Sequence, residues 1–175
     1  PDADNILVKD NKLLGGMDYG IAVIQWYDGG TTSNCTVEGN VIEKTVEGGI
    51  SLGGNVTNTK ILNNIIKSNE VGIITDQDFY YGYGGGNPKG TVINYNEFCG
   101  NVVDIEVYGD NIEGKLDAKY NYWCSNTGPS QDKLKGPIDT FPFDKRNSIP
   151  IASILKILKG NFQKNHGTEM TIGEN

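Results

Sequence analysis

Asp76 and Asp78 stand two residues apart at the head of a stretch, Asp76 to Asn87, that also carries Phe79, Tyr80, Tyr81, Tyr83 and the triplet Gly84-Gly85-Gly86. Two carboxylates at a defined separation are the general acid and base of a glycosidase, and Asp28 is a third candidate for that cluster. The same pair, with carbonyls from the glycine triplet, is equally a calcium ligand set. Loop carboxylates are most often solvated, so an Asp-x-Asp pair alone selects neither chemistry. The aromatic residues suggest another use. Trp26 and Tyr27, with Phe79, Tyr80, Tyr81 and Tyr83, can pack the C–H face of a sugar ring against a π surface while neighbouring Asp, Asn and Gln bond its hydroxyls. The alternative is that these rings pack on one another and stiffen long loops.

Other chemistries lack their residues. The single histidine, His166, lies in a polar tail, so no serine or cysteine triad can be assembled, and Cys35, Cys99 and Cys124 have no zinc spacing. The run from Gly84 to Gly90 lacks the spacing of a phosphate-binding loop and precedes a strand pattern rather than a helix.

What must position the loops is a repeat. Asn11, Asn40, Asn64, Asn96 and Asn121 each follow an apolar residue by three places: Val8, Val37, Ile61, Ile93 and Ala118. Each also precedes another by two: Leu13, Ile42, Ile66, Phe98 and Trp123. Loose periods of this length belong to stacked units rather than to a closed globule. Period-two alternation in Ile6-Val8, Ile21-Val23, Ile50-Leu52 and Ile105-Val107 makes the units strands, and the Gly- and Asn-rich stretches between them make bends. Asparagine tolerates the left-handed backbone of a bend, and its amide can bond the amide one coil away. Stacked at roughly 4.8 Å, the five asparagines form a structural ladder. Coils one and three place Trp26 and Phe79 at the same offset from their asparagines, with small Asn55 between them. The two aromatic loops should therefore flank a saddle whose floor is Ser51, Gly53, Gly54 and Asn55.

The runs V-E-G-N-V-I at Val37 to Ile42, I-L-N-N-I-I at Ile61 to Ile66, and N-Y-W-C-S-N-T-G-P-S at Asn121 to Ser130 resemble the right-handed parallel β-helix proteins of the pectin-lyase-like fold. Within that group the chain is most similar to NosD-like surface and periplasmic proteins of archaea and bacteria, over residues 4 to 130. The closing motif carries Cys124 where those proteins usually have glycine. The resemblance implies an all-β parallel solenoid and little about activity, since one fold hosts many functions. Lyases of this fold use calcium-held acidic sugars and an arginine or lysine base. The single arginine here, Arg146, lies outside the repeats, so the resemblance does not extend to catalytic residues.

The resulting expectation is one continuous core of about five coils over residues 1–130, with a C-terminal segment and capping helix over 131–175. Ile151, Ile154, Leu155, Leu158 and Phe162 have helical spacing, Pro150 suits the first turn and Gly160 the end. Net charge is −7; residues 1–132 hold 8 Lys/Arg against 18 Asp/Glu, and residues 133–175 hold 7 against 4. An acidic body repels phosphate backbones, which argues against a nucleic-acid partner. No apolar run is long enough to span a membrane, and a start at Pro1 suggests processing or a fragment. The uncapped first coil is an exposed sheet edge, so the expected partners are a glycan or polysaccharide and a second β-helical edge, through head-to-tail self-association or a neighbouring segment.

Cys99 and Cys124 each follow their asparagine by three places on adjacent coils, which places them within disulfide reach; a stacked pair of thiols is the alternative. Cys35, at another register, reads as a buried small hydrophobe. Asn34-Cys-Thr36 and Asn55-Val-Thr57 match the N-glycosylation acceptor pattern. With the resemblance, these features point to an extracellular or cell-surface address. The expected function is a non-catalytic secreted or surface module, structural or adhesive, holding a glycan on its aromatic loops with no cofactor. The alternative is a polysaccharide lyase or glycoside hydrolase, or a fragment of one, with Asp76 and Asp78 catalytic or holding calcium.

Overall fold

A computed structural model describes residues 3–16, 18–25, 30–76, 88–108 and 114–146. Every strand pair in it is parallel, and each coil lays its strands on those of the coil before. Four sheets result. The smallest joins Ala3–Asp4, Thr32–Ser33 and Val56–Thr57. The second stacks Leu7–Lys9, Thr36–Glu38, Lys60–Leu62, Val92–Asn94, Leu116–Asp117 and Ile138–Asp139. The third stacks Lys12–Leu14, Val41–Glu43, Ile65–Lys67 and Glu97–Cys99. The fourth stacks Tyr19–Ile24, Gly48–Gly53, Val71–Asp76, Val103–Val107 and Leu134–Lys135.

Register follows from which residues must be dry. Val8, Val37, Ile61 and Ile93 stand in line in the second sheet, and Leu13, Ile42, Ile66 and Phe98 in the third. From Val37 and Ile42 onward all of these are fully buried, because a one-residue slip would turn every one of them to water. The fourth sheet adds the column Ile21, Ile50, Ile73, Ile105 and Leu134. Phe98 and Trp123 stack face to face inside, ring centroids 4.8 Å apart. Coil one is less protected: Ile6, at the inward place that Cys35 fills one coil on, is 48% exposed.

The ladder joins the second and third sheets. Asn40 Oδ1 accepts from the main-chain N–H of Asn11 at 2.9 Å and from its Nδ2 at 3.0 Å. Asn64 does the same for Asn40, Asn96 for Asn64, and Asn121 for Asn96. The remaining amide proton goes to a main-chain carbonyl of an earlier coil: Val8 from Asn40, Val37 from Asn64, Ile61 from Asn96 and Ile93 from Asn121. The left-handed residue of this bend is the one before each asparagine, not the asparagine itself: Asp10, Gly39, Asn63, Tyr95 and Tyr120 have φ between 56° and 67°. The asparagine keeps an ordinary backbone so that both its main-chain and side-chain N–H groups face the next coil.

The hydrophobic repeat lapses after Pro129, but strand pairing does not. Leu134 aligns with Ile105 and Ile138 with Leu116, so residues 134–139 lay a partial sixth coil on the stack after a short 3-10 turn, Gln131–Lys133. Asp144 N–H donates to Asn121 O, the bond made by the residue after each ladder asparagine. Phe143 thus stands where a sixth asparagine would, packs against the core and ends the ladder. Gly128 makes room for it: a Cβ there would fall 2.7 Å from the Phe143 ring, and its φ of 90° suits glycine. The expected capping helix over residues 151–162 lies outside the described residues, as does nearly all of the unit Arg146–Asn175.

Replacing Asn64 with Ala removes one acceptor and two side-chain donors from the buried ladder, taking their shared acceptor from two N–H groups of Asn40 and the amide donor from Val37 O, while Asn96 Oδ1 keeps the main-chain N–H of residue 64. Chemical denaturation should show a loss of about 1 to 3 kcal/mol for each group left unsatisfied, with Asn11→Ala, at the exposed end, costing less. Equal losses at both positions would refute a ladder that acts through burial.

Candidate functional site

Trp26, Tyr27, Phe79, Tyr80, Tyr81 and Tyr83, with Asp28, Asp78, Gly84 to Gly86 and His166, lie outside the described residues. Asp76 ends the strand Val71–Asp76, its backbone aligned with Gly53. Ser51, Gly53 and Gly54 are buried rather than forming an open floor, because that strand packs between two coils; Asn55 is exposed. Asn34 and Asn55 both sit at the surface, Asn34 in a left-handed bend with its amide on Asp4, and Asn55 with its amide on Gly30 and Thr31.

Three groupings of polar and aromatic side chains do come together. The first is an aromatic corner. Tyr95 and Tyr120 occupy the same bend on successive coils, at φ 62° and 57°, and their rings stack with centroids 5.3 Å apart and planes 9° from parallel. They remain 57% and 43% exposed. A left-handed backbone disfavours bulky side chains, and Asp10, Gly39 and Asn63 fill the same bend with residues that tolerate it better. Polar groups flank the rings in sequence. Asn94 Oδ1 accepts from Lys119 N–H, and the Lys119 ammonium lies 3.1 Å from Asp139 and 3.9 Å from Asp117. The hydrogen bond to Asp139 raises the Lys119 pKa and in turn lowers that of Asp139, so both are charged at neutral pH. Phe141, on the next partial coil, is highly exposed and packs edge-on to Phe143.

The second grouping leaves little trace in the sequence. A further polar ladder runs five places after the first: Thr45 and Asn69 each donate from their main chain to the next oxygen, Asn69 Oδ1 and Asn101 Oδ1. It ends on Asp104, only 3% exposed, whose carboxylate accepts from Asn101 Nδ2 at 3.0 Å. Asp104 aligns with Gly72, Gly49 and Gly20, a column kept side-chain-free because a Cβ at Gly49 would fall 2.6 Å from Gly72 O. Burial pushes the Asp104 pKa up, partly offset by the Asn101 hydrogen bond and by the positive charge of Lys133. The signal that could have found this ladder was the buried register of Asn69 and Asn101, but Thr45 and Gly16 break its identity in earlier coils.

The third grouping is Cys99 and Cys124, joined in a disulfide with Cα atoms 5.3 Å apart, beside Glu97. Cys35 is a free, buried thiol that donates weakly to Ser33 O.

Parallel strands on parallel strands in four stacked sheets, closed by polar ladders at the bends, define a β-helix. Residues 2–85 match the family described as right handed beta helix region, and the chain is a right-handed parallel β-helix repeat protein. No curated protein and no solved structure matches it. No helix among the described residues is long and apolar enough to cross a membrane.

Asp104 has a raised folded-state pKa, so its stabilising contribution is complete below the ordinary value of 3.8 and is lost as pH rises through the folded value. The stability of the native chain minus that of Asp104→Asn should therefore rise on acidification from pH 7 to below about 3.8; a flat or opposite difference contradicts the burial. Thiol counting in denaturant without reductant should find one reactive group, Cys35, and three after reduction.

Proposed function

We propose that the chain is a secreted or cell-surface β-helical module, structural and adhesive, that holds a glycan on exposed aromatic faces. The observation that carries this reading is the Tyr95–Tyr120 stack, in which two bulky rings occupy left-handed bends while remaining exposed. Backbone placed in a costly region and left uncovered is accounted for by a role at the surface. An aromatic face lends itself to the C–H side of a pyranose, and the Asn94, Lys119, Asp117 and Asp139 cluster offers donors and acceptors for its hydroxyls. The bridged Cys99–Cys124 pair fits the oxidising conditions of an extracellular address. The rigid stack fixes the geometry of the rings, so little conformational entropy is lost on binding.

A glycan array probed with the intact chain should give a defined set of neutral or cationic sugars. Tyr95→Ala with Tyr120→Ala should abolish that binding, since each buried aromatic anchor of a small interface contributes about 2 kcal/mol or more. The melting temperature should change little, because both rings are exposed. Binding that survives the double substitution would move the glycan site away from this corner, and an array without hits would refute the reading.

A further inference from the structure

Glu97, Cys99 and Cys124 offer three ligand atoms, one carboxylate oxygen and two sulfurs, all within 4.8 Å of one another. They come from two successive coils: Glu97 and Cys99 from one strand, Glu97–Cys99, and Cys124 from the bend after the residue paired with it. Glu97 Oε1 lies 3.4 Å from Cys99 Sγ. Cys124 is exposed and the other two are half-buried, so a solute can reach the group. Lys67 stands beside Cys99 on the preceding coil, with its ammonium engaged by Glu43 at 3.4 Å.

We propose that reduction of the Cys99–Cys124 disulfide converts this corner into a binding site for a zinc-type divalent cation, held by the two thiolates and the Glu97 carboxylate. The inference does not depend on the glycan reading. Reduction by a dithiol adds two electrons and two protons to the bridge, giving two thiols, and the reductant leaves as its own disulfide. The cation then displaces both thiol protons. Two sulfurs each about 2.3 Å from a tetrahedral metal lie about 3.8 Å apart, a separation that carbons already 5.3 Å apart can reach by side-chain rotation alone. Sulfur and carboxylate together suit a borderline-soft d10 ion, and three protein ligands leave a fourth position open to solvent. In the oxidised chain the sulfurs are consumed by one another and the site is closed, so the same pair answers to redox conditions in two ways.

The test uses the full chain, reduced with a water-soluble phosphine, which provides no competing thiol, and titrated with Co2+ under inert gas. The reduced chain should develop thiolate-to-cobalt charge-transfer absorption and the intense visible bands of tetrahedral Co2+ at one ion per chain, and Zn2+ should erase them. The oxidised chain and Cys124→Ser should give neither. Glu97→Gln should keep the charge-transfer band while weakening apparent affinity about tenfold or more, at least as much as loss of a hydrogen-bond partner of a metal ligand does. Far-UV circular dichroism of the reduced chain is recorded first. A reduced chain that has lost its β signal overturns the proposal, as do bands that persist in Cys124→Ser, unchanged affinity in Glu97→Gln, or no bands at all.

Discussion

The constraint on which this fold depends is that an amide buried at a bend must be satisfied by the coils beside it. Asn64 is 99% buried and bonds to two neighbouring coils at once: its oxygen takes two N–H groups from Asn40, and its own N–H groups go to Asn96 and Val37. No coil can do this alone. The cost of an unpaired buried amide therefore holds the coils in register more sharply than apolar packing, which tolerates small slides. It also gives the stack a direction, since Asn11, Asn40, Asn64 and Asn96 each donate a side-chain N–H to the asparagine of the following coil.

A directional ladder needs an end, and the two ladders end differently. The first stops at Phe143, which replaces an amide with a ring and so demands nothing of a further coil. The second stops at Asp104, which accepts from Asn101 but brings a carboxylate into a dry place, with Lys133 of the following turn as the nearby cation. Terminal units of a solenoid differ from internal ones because their outer face must suit what lies beyond. Here the difference is visible in single residues, and it explains why the apolar repeat fades after Pro129 although strands continue to Ile138–Asp139.

Outside the core, the surface follows from the bends. Each left-handed residue before a ladder asparagine points outward, so the chain can change what it displays there without touching the core. Aspartate, glycine, asparagine and two tyrosines have been placed in that one column. The Cys99–Cys124 bridge uses the same freedom one bend further on, where Cys124 is itself left-handed. Function on such a scaffold is a matter of which side chains stand in line on adjacent coils.

What one coil repeats is legible along the chain, whereas what two coils share is legible only once they stack. The spacing of Asn11, Asn40, Asn64, Asn96 and Asn121 between apolar residues specified parallel stacking and its register, because amide and apolar positions are fixed relative to each other within one coil. The adjacency of Cys99 and Cys124 followed from that same frame. Stacking of Tyr95 on Tyr120 was latent in it too, since both precede their asparagine by one, but exposed residues carry no periodic signal that would mark the two rings. The second ladder was hidden because threonine and glycine stand in it, and burial rather than residue type defines its members. Asp104 escaped for a related reason: a lone aspartate reads as surface until the glycine column beside it shows that its place points inward. Local patterns record what each coil must repeat, whereas ends, caps and surface clusters arise between coils, where only the folded stack brings the residues together.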